Sequence, residues 1–161
     1  MYESVHMYAS VDWRPLCRGI VLPLGQAGVT LLERLFAIGF DNAVTLEGRP
    51  IILPGKEELS LIIEADIEEV QCTRSDQAKH VEITYHFSLY SPSEEALGYW
   101  NVSGRGEAQH RFFEDPNTTA GRAADLAMED AAKKIAIQFW EIPAVRRLLQ
   151  EMAPHSNLKQ T

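Results

Sequence analysis

Two stretches of the chain alternate apolar and polar residues with a period of two. Leu59, Leu61, Ile63, Ala65 and Ile67 share one side, and Ser60, Glu64, Asp66 and Glu68 share the other, with Ile62 the exception. Val81, Ile83, Tyr85, Phe87 and Leu89 alternate in the same way with Glu82, Thr84, His86 and Ser88. A period of two over this length predicts half-buried antiparallel strands. Residues 71–80 read as the polar hairpin connection between them, and Ser91-Pro92-Ser93 begins the next turn. Leu97 to His110 reads as a further strand with Trp100, Val102 and Ala108 on one face. Gly104 and Gly106 share that face, which marks either a bulge or a place where a helix packs close.

The helical period appears twice. Val29, Leu32, Phe36 and Phe40 recur at three- and four-residue spacing, widened by Leu31, Leu35 and Ile38, and predict a helix from Val29 to Phe40. Asp115-Pro116-Asn117-Thr118-Thr119 is rich in capping residues and opens a long helix. Its inner face carries Ala120, Ala124, Ala127, Ala131, Ile135 and Phe139, small residues first and large ones later. The N-terminal half is therefore expected to approach the sheet closely. Pro143 breaks this helix, and Ala144 to Met152 forms one more helical piece. Arg18 to Leu24 and Ala43 to Leu46 read as short strands, with Gly25 to Gly28 turning the chain between the first strand and the helix. The order is β-α-β-β-β-β-α. It predicts an α+β two-layer sandwich: a mostly antiparallel sheet of about five strands with two helices on one face. Residues 1–153 make one domain, with 1–17 an extended arm and 154–161 a disordered polar tail.

Composition narrows the function. The 161 residues are 45% hydrophobic and 24% charged. A chain of this length buries about 69% of its extended surface, enough for one core. Fifteen basic against 23 acidic residues leave a net charge of −8. Nucleic-acid binding needs a basic surface to displace counterions, so that class is set aside. The basic pairs Lys133-Lys134 and Arg146-Arg147 fall in the second half of the helical region, where positive charge complements the helix dipole. Cys17 and Cys72 form no metal-binding spacing and read as two partly buried free thiols, with a single disulfide as the alternative. Residues 1–18 lack the apolar run of a signal peptide. The chain is then either cytoplasmic or the product of a removed leader.

No motif for catalysis stands out. Gly104-Arg105-Gly106 lacks the third glycine of a dinucleotide fingerprint. The histidines His6, His80, His86, His110 and His155 are scattered, and His86 reads as an ordinary surface histidine. Glu64, Asp66 and Glu68 read as a solvated acidic face. No catalytic, cofactor-binding or metal residues are assigned, and the chain is read as a non-enzyme. Trp100 and Trp140 are expected in the core, whereas Trp13, beside Arg14-Pro15, suits an exposed anchor.

Three stretches carry a family resemblance. They are Pro23-Leu24-Gly25 running into Leu35-Phe36 and Phe40-Asp41-Asn42-Ala43-Val44; Tyr99-Trp100-Asn101-Val102-Ser103-Gly104-Arg105-Gly106; and Ala127-Met128-Glu129-Asp130-Ala131-Ala132-Lys133-Lys134-Ile135 closing on Pro143-Ala144-Val145. Together they resemble the mature domains of small bacterial envelope lipoproteins. Among these are the auxiliary lipoproteins of ABC-type lipid-transport systems and the lipoprotein that plugs the lipopolysaccharide-inserting barrel. The resemblance covers most of residues 18–150. It implies a non-enzymatic cell-envelope accessory protein, periplasmic and outer-membrane associated, with membrane contact only through an anchor that this chain does not show. It implies an envelope protein as partner. A subunit of a homo-oligomeric envelope or secretion apparatus, or a small-ligand-binding domain, are the alternatives.

If binding is the function, three surfaces are expected to carry it: the arm around Trp13, the loop from Pro50 to Lys56, and the 104–118 connection with Arg105, Arg111, Phe112 and Phe113. Phe112-Phe113 beside Arg111 makes a compact apolar and cationic patch. The competing reading places the two rings as a plug beneath the last helix.

Overall fold

The structure is a computed structural model that describes residues 5–9, 14–17, 20–22, 24–39, 43–46 and 61–152, with side chains for 28–38, 61–147 and 150. Its elements are β1 (Val5–Ala9), β2 (Arg14–Cys17), β3 (Ile20–Leu22), α1 (Leu24–Gly39), β4 (Ala43–Leu46), β5 (Leu61–Arg74), β6 (Ala78–Tyr90), β7 (Ala96–Gln109), α2 (Pro116–Gln138) and α3 (Pro143–Met152), with a 3-10 turn at Phe139–Glu141. The architecture is α+β. Its antiparallel part is three long strands rather than five: β5 pairs with β6 and β6 with β7. The short strands β1 and β4 extend this sheet in parallel, giving the order β4-β1-β5-β6-β7. Val5–Ala9, expected in an extended arm, is thus a strand inside the sheet. The expected first strand is shorter and stands apart, because β3 pairs with β2 in a separate hairpin.

The alternation stops at Glu68, but the strand does not. The β5–β6 register shifts between Ile67 and Glu69. The extra residue reverses the phase, so Val70 and Cys72 return to the core side opposite Ile83 and Val81. β5 therefore runs on to Arg74 and β6 resumes at Ala78, where a polar connection was expected over 71–80. Only a tight turn separates them, closed by Ser75 N–H donating to the Ala78 carbonyl at 2.9 Å.

One face of the sheet holds the core. Leu61, Ile63, Ala65 and Ile67 of β5 and Val81, Ile83, Tyr85, Phe87 and Leu89 of β6 are all buried. Trp100 stacks on Phe87 at 4.5 Å between ring centroids, Phe139 packs near Trp100, and Phe36 of α1 meets Phe139 edge-on at 5.1 Å. This aromatic cluster joins both long helices to the same face of the sheet. α1 begins at Leu24, immediately after Pro23, where a turn was expected. A proline just before a helix costs it no internal hydrogen bond.

The small residues of α2 sit where the sequence pattern puts them. Ala120, Ala123, Ala124, Ala127 and Ala131 are buried against β7. At Gly104 a Cβ would collide with the Ala127 carbonyl and stand 2.6 Å from the Ala131 nitrogen; at Gly106 it would collide with the Ala123 carbonyl and stand 2.5 Å from the Ala127 nitrogen. The two glycines mark a helix in backbone contact with the strand. α2 starts at Pro116, with Asp115 as N-cap accepting from Asn117 N–H at 3.2 Å.

Cys72 is disulfide-bonded, which corrects the expectation of free thiols. The one other cysteine in the sequence, Cys17, lies in β2, and β2 packs against β5. The polar tail from residue 154 lies outside the described residues.

Two predictions follow from this packing. Gly104→Ala or Gly106→Ala forces backbone apart from backbone, and each is expected to destabilise the domain by about 3 kcal/mol or more in denaturant unfolding. For the disulfide, thiol labelling of the denatured, unreduced chain should modify no cysteine. Reduction is expected to lower unfolding free energy by about 4 kcal/mol, given the long loop closed between β2 and β5.

Candidate functional site

The connection from β7 to α2 is a four-residue turn closed by Glu114 N–H donating to the Arg111 carbonyl at 3.0 Å. Phe112 and Phe113 occupy its two central positions. Phe113, the third residue of the turn, has φ of 65°, in the left-handed region that glycine fills at least cost. An aromatic residue there carries strain of about 1–2 kcal/mol. Both rings point into solvent: Phe112 is 92% and Phe113 99% exposed, and they meet edge to face at 5.1 Å. The expectation of a plug beneath the last helix is therefore not met.

The turn is held at its base. The Glu114 carboxylate accepts from Arg122 Nη2 at 2.6 Å and Nε at 3.1 Å, from the Thr119 hydroxyl at 2.9 Å, and from Arg111 N–H at 3.3 Å. Arg122 Nη2 also donates to the Gln109 carbonyl at 2.8 Å, tying α2 to the last residue of β7. Paired forks of this kind fix geometry as well as charge. The Arg122 guanidinium holds the Glu114 carboxyl down at about 2, helped by Thr119 and the Arg111 amide. Thr119 is fully buried, and having donated to Glu114 it can accept from His110 Nδ1 at 3.2 Å. His110 N–H donates to the Gln77 carbonyl, which joins this turn to the neighbouring one at 2.9 Å.

The other expected contact residues fall elsewhere. Arg105 lies on β7, not in the connection, with its guanidinium 3.1 Å from Glu82. It stands six positions before Arg111, four of them along the strand, well over 10 Å away at about 3.3 Å per residue. Arg111 does stand beside the two phenylalanines at the base of the turn. Trp13 and the loop from Pro50 to Lys56 lie outside the described residues.

The sheet face away from the helices carries a polar ladder. His86 Nδ1 is 2.6 Å from Asn101 Oδ1, Asn101 donates to Glu68 at 2.8 Å, and Ser88 Oγ is 3.3 Å from His86 Nε2. Tyr90 donates to Glu64 at 3.1 Å, and Thr84 and Ser103 share a hydrogen bond at 2.8 Å. Hydroxyl, imidazole and amide stand in the order of a nucleophile, base and orienting group. They lie across the central strand β6 and its neighbour β7, where His86 is taken up by Asn101 and Asn101 by Glu68. Cross-strand pairing is the role these groups fill. Among the described residues no three His, Cys, Asp or Glu side chains converge as metal ligands, and no described helix is long and apolar enough to cross a membrane.

Sequence reasoning found the phenylalanines but not the clamp. Glu114 and Arg122 are eight residues apart and only the turn into α2 brings them together; the sole signal was a capping motif flanked by an acid and followed by a base. Since the folded-state value of Glu114 is lowered, its stabilisation is present above the usual carboxylate range and is lost as pH falls toward about 2. Unfolding measured between pH 5 and 2 is expected to show this loss in the native chain and a shallower one in Glu114→Gln.

No family model matches the chain, and no curated protein does. Solved structures do match it over nearly its whole length. A Helicobacter pylori protein described as a candidate neuraminyllactose-binding hemagglutinin homolog superposes with a TM-score of 0.60 at 10% identity, over 92% of this chain and 91% of that one. A Xanthomonas campestris protein of the DUF330 family gives 0.59 at 9% identity, over 93% and 89%. A minor lipoprotein from Acinetobacter baumannii gives 0.54 at 9% identity, over 91% and 94%. At these identities the likeness is one of fold: the chain folds like bacterial proteins that include a lipoprotein.

Proposed function

We propose that this chain is a non-enzymatic accessory protein of the bacterial cell envelope that acts by binding another protein, in outer-membrane or lipid-transport assembly. The observation that carries the reading is the Phe112-Phe113 tip. A soluble surface leaves scattered apolar residues exposed at little cost, but two adjacent phenylalanines at nearly full exposure on a strained and clamped turn are a different case. Burying both in an interface is worth about 3–6 kcal/mol. The clamp removes much of the ordering cost that a floppy loop would impose on binding. Arg111 beside the rings gives the patch a cation, a pairing common at binding hot spots.

Two further observations support the envelope as its place. The bonded state of Cys72 suits an oxidising compartment. The fold is shared with a protein described as a lipoprotein. The contact is with protein rather than an anionic bilayer, because the net charge of −8 opposes approach to one.

The test is affinity isolation of the tagged gene product from the envelope of its native host, with mass spectrometry of what is retained. The native chain is expected to retain a partner that Phe112→Ser with Phe113→Ser loses by about tenfold or more. Both positions are exposed, so the melting temperature of the double variant is expected to move by only a few degrees. Equal recovery by both chains, or a variant that no longer melts cooperatively, contradicts the assignment.

A further inference from the structure

Among the described residues β7 is an edge strand, and its outer edge is closed along only part of its length. Arg105 N–H donates to Asp130 Oδ2 at 2.9 Å instead of to β6, so its backbone groups face outward. Successive residues of an antiparallel strand alternate in this respect, so Tyr99, Asn101, Ser103, Glu107 and Gln109 face outward too. His110 N–H agrees, because it turns inward to Gln77. α2 covers the second half of this edge. Lys134 Nζ donates to the Ser103 carbonyl at 2.7 Å and pairs with Asp130 at 2.7 Å, and Arg122 donates to the Gln109 carbonyl at 2.8 Å. Charged side chains placed on an edge block the pairing of another strand. No such group among the described residues reaches the N–H or C=O of Tyr99 or Asn101.

We propose that this open stretch of β7, from Gly98 to Asn101, accepts one extended, positively charged segment of a partner protein as an added strand. The four outward groups of Tyr99 and Asn101 supply its backbone hydrogen bonds, and the Asp130–Lys134 pair ends the added strand at Ser103. The charge of the segment follows from its surroundings. Asp66, Glu68, Glu94 and Glu95 flank the stretch, on the adjoining sheet face and at the start of the strand. Glu94 is held in the left-handed region, φ 66°, by a turn in which its N–H donates to the Ser91 carbonyl at 2.9 Å. Two cations along the edge, Arg105 and Lys134, are paired with Glu82 and Asp130. Tyr99, 77% exposed and beside the His86 ring, offers an aromatic surface to the incoming side chains. A second copy of this chain is the less suited occupant, because pairing the two edges would set two like acidic faces side by side. This surface is separate from the Phe112-Phe113 tip, and either can fail without the other.

The probe is a capped peptide of about six residues alternating lysine with valine and threonine, titrated against the full chain by fluorescence anisotropy. Saturable binding is expected, and glutamate in place of lysine should abolish it. Tyr99→Pro removes an outward N–H that the fold does not use, a position where an edge strand tolerates proline. It is expected to weaken binding by about tenfold or more with the melt unchanged. Glu94→Lys with Glu95→Lys should weaken it similarly. If Tyr99→Pro does not fold, the native chain still decides: a peptide N-methylated at alternate residues should not bind. The proposal is overturned by a lysine peptide that fails to saturate below about 1 mM, by equal affinity for the N-methylated peptide, or by equal affinity of a folded Tyr99→Pro chain. A concentration-dependent dimer lost in Tyr99→Pro also overturns it, and assigns the edge to a second copy.

Discussion

The backbone contact between α2 and β7 sets the geometry of everything else described. Two glycines on the strand and a run of alanines on the helix remove the side chains that would hold a helix at the usual distance from a sheet. At that separation polar side chains of α2 reach the backbone of the edge strand. Lys134, Asp130 and Arg122 each find a backbone group of β7, at Ser103, Arg105 and Gln109. A helix held off by larger residues would leave those groups unpaired. Van der Waals contact along a narrow strip therefore governs where hydrogen bonds and ion pairs form at the margin.

The same approach sets up the tip. Arg122 lies on α2, Gln109 ends β7, and Glu114 stands in the turn between them. With helix and strand fixed in register, one guanidinium spans all three. The turn that results is short enough to force Phe113 into an unfavourable backbone region, and the clamp outweighs that cost. Strain retained at an exposed position, where nothing in the core gains from it, is what motivates the proposed contact. In the apolar core β6 contributes five alternate inward residues, all buried.

Much of this was legible in the chain. The period-two stretches located β5 and β6, and the small residues of the long helix predicted its close approach to the sheet, while Gly104 and Gly106 alone left a bulge and a packed helix equally open. What was hidden has physical causes. The bulge at Glu68 reverses the alternation, so pattern reading ends the strand too soon. Pairing between distant strands leaves little local trace, and so β1 read as an arm. Its five residues gain their place from β4 and β5, not from their own periodicity. The capped edge and the Glu114–Arg122 clamp rest on tertiary distances alone. Phe112 and Phe113 were visible as a patch, but only the turn decides that both rings face solvent.

The central claim is that the fold presents a rigid aromatic tip rather than a mobile loop that happens to hold two phenylalanines. Backbone 15N relaxation of the free chain tests it most directly. The account predicts order parameters at Phe112 and Phe113 close to those of β7, about 0.85. Values below about 0.6 at these two amides, with β7 remaining ordered, would contradict it.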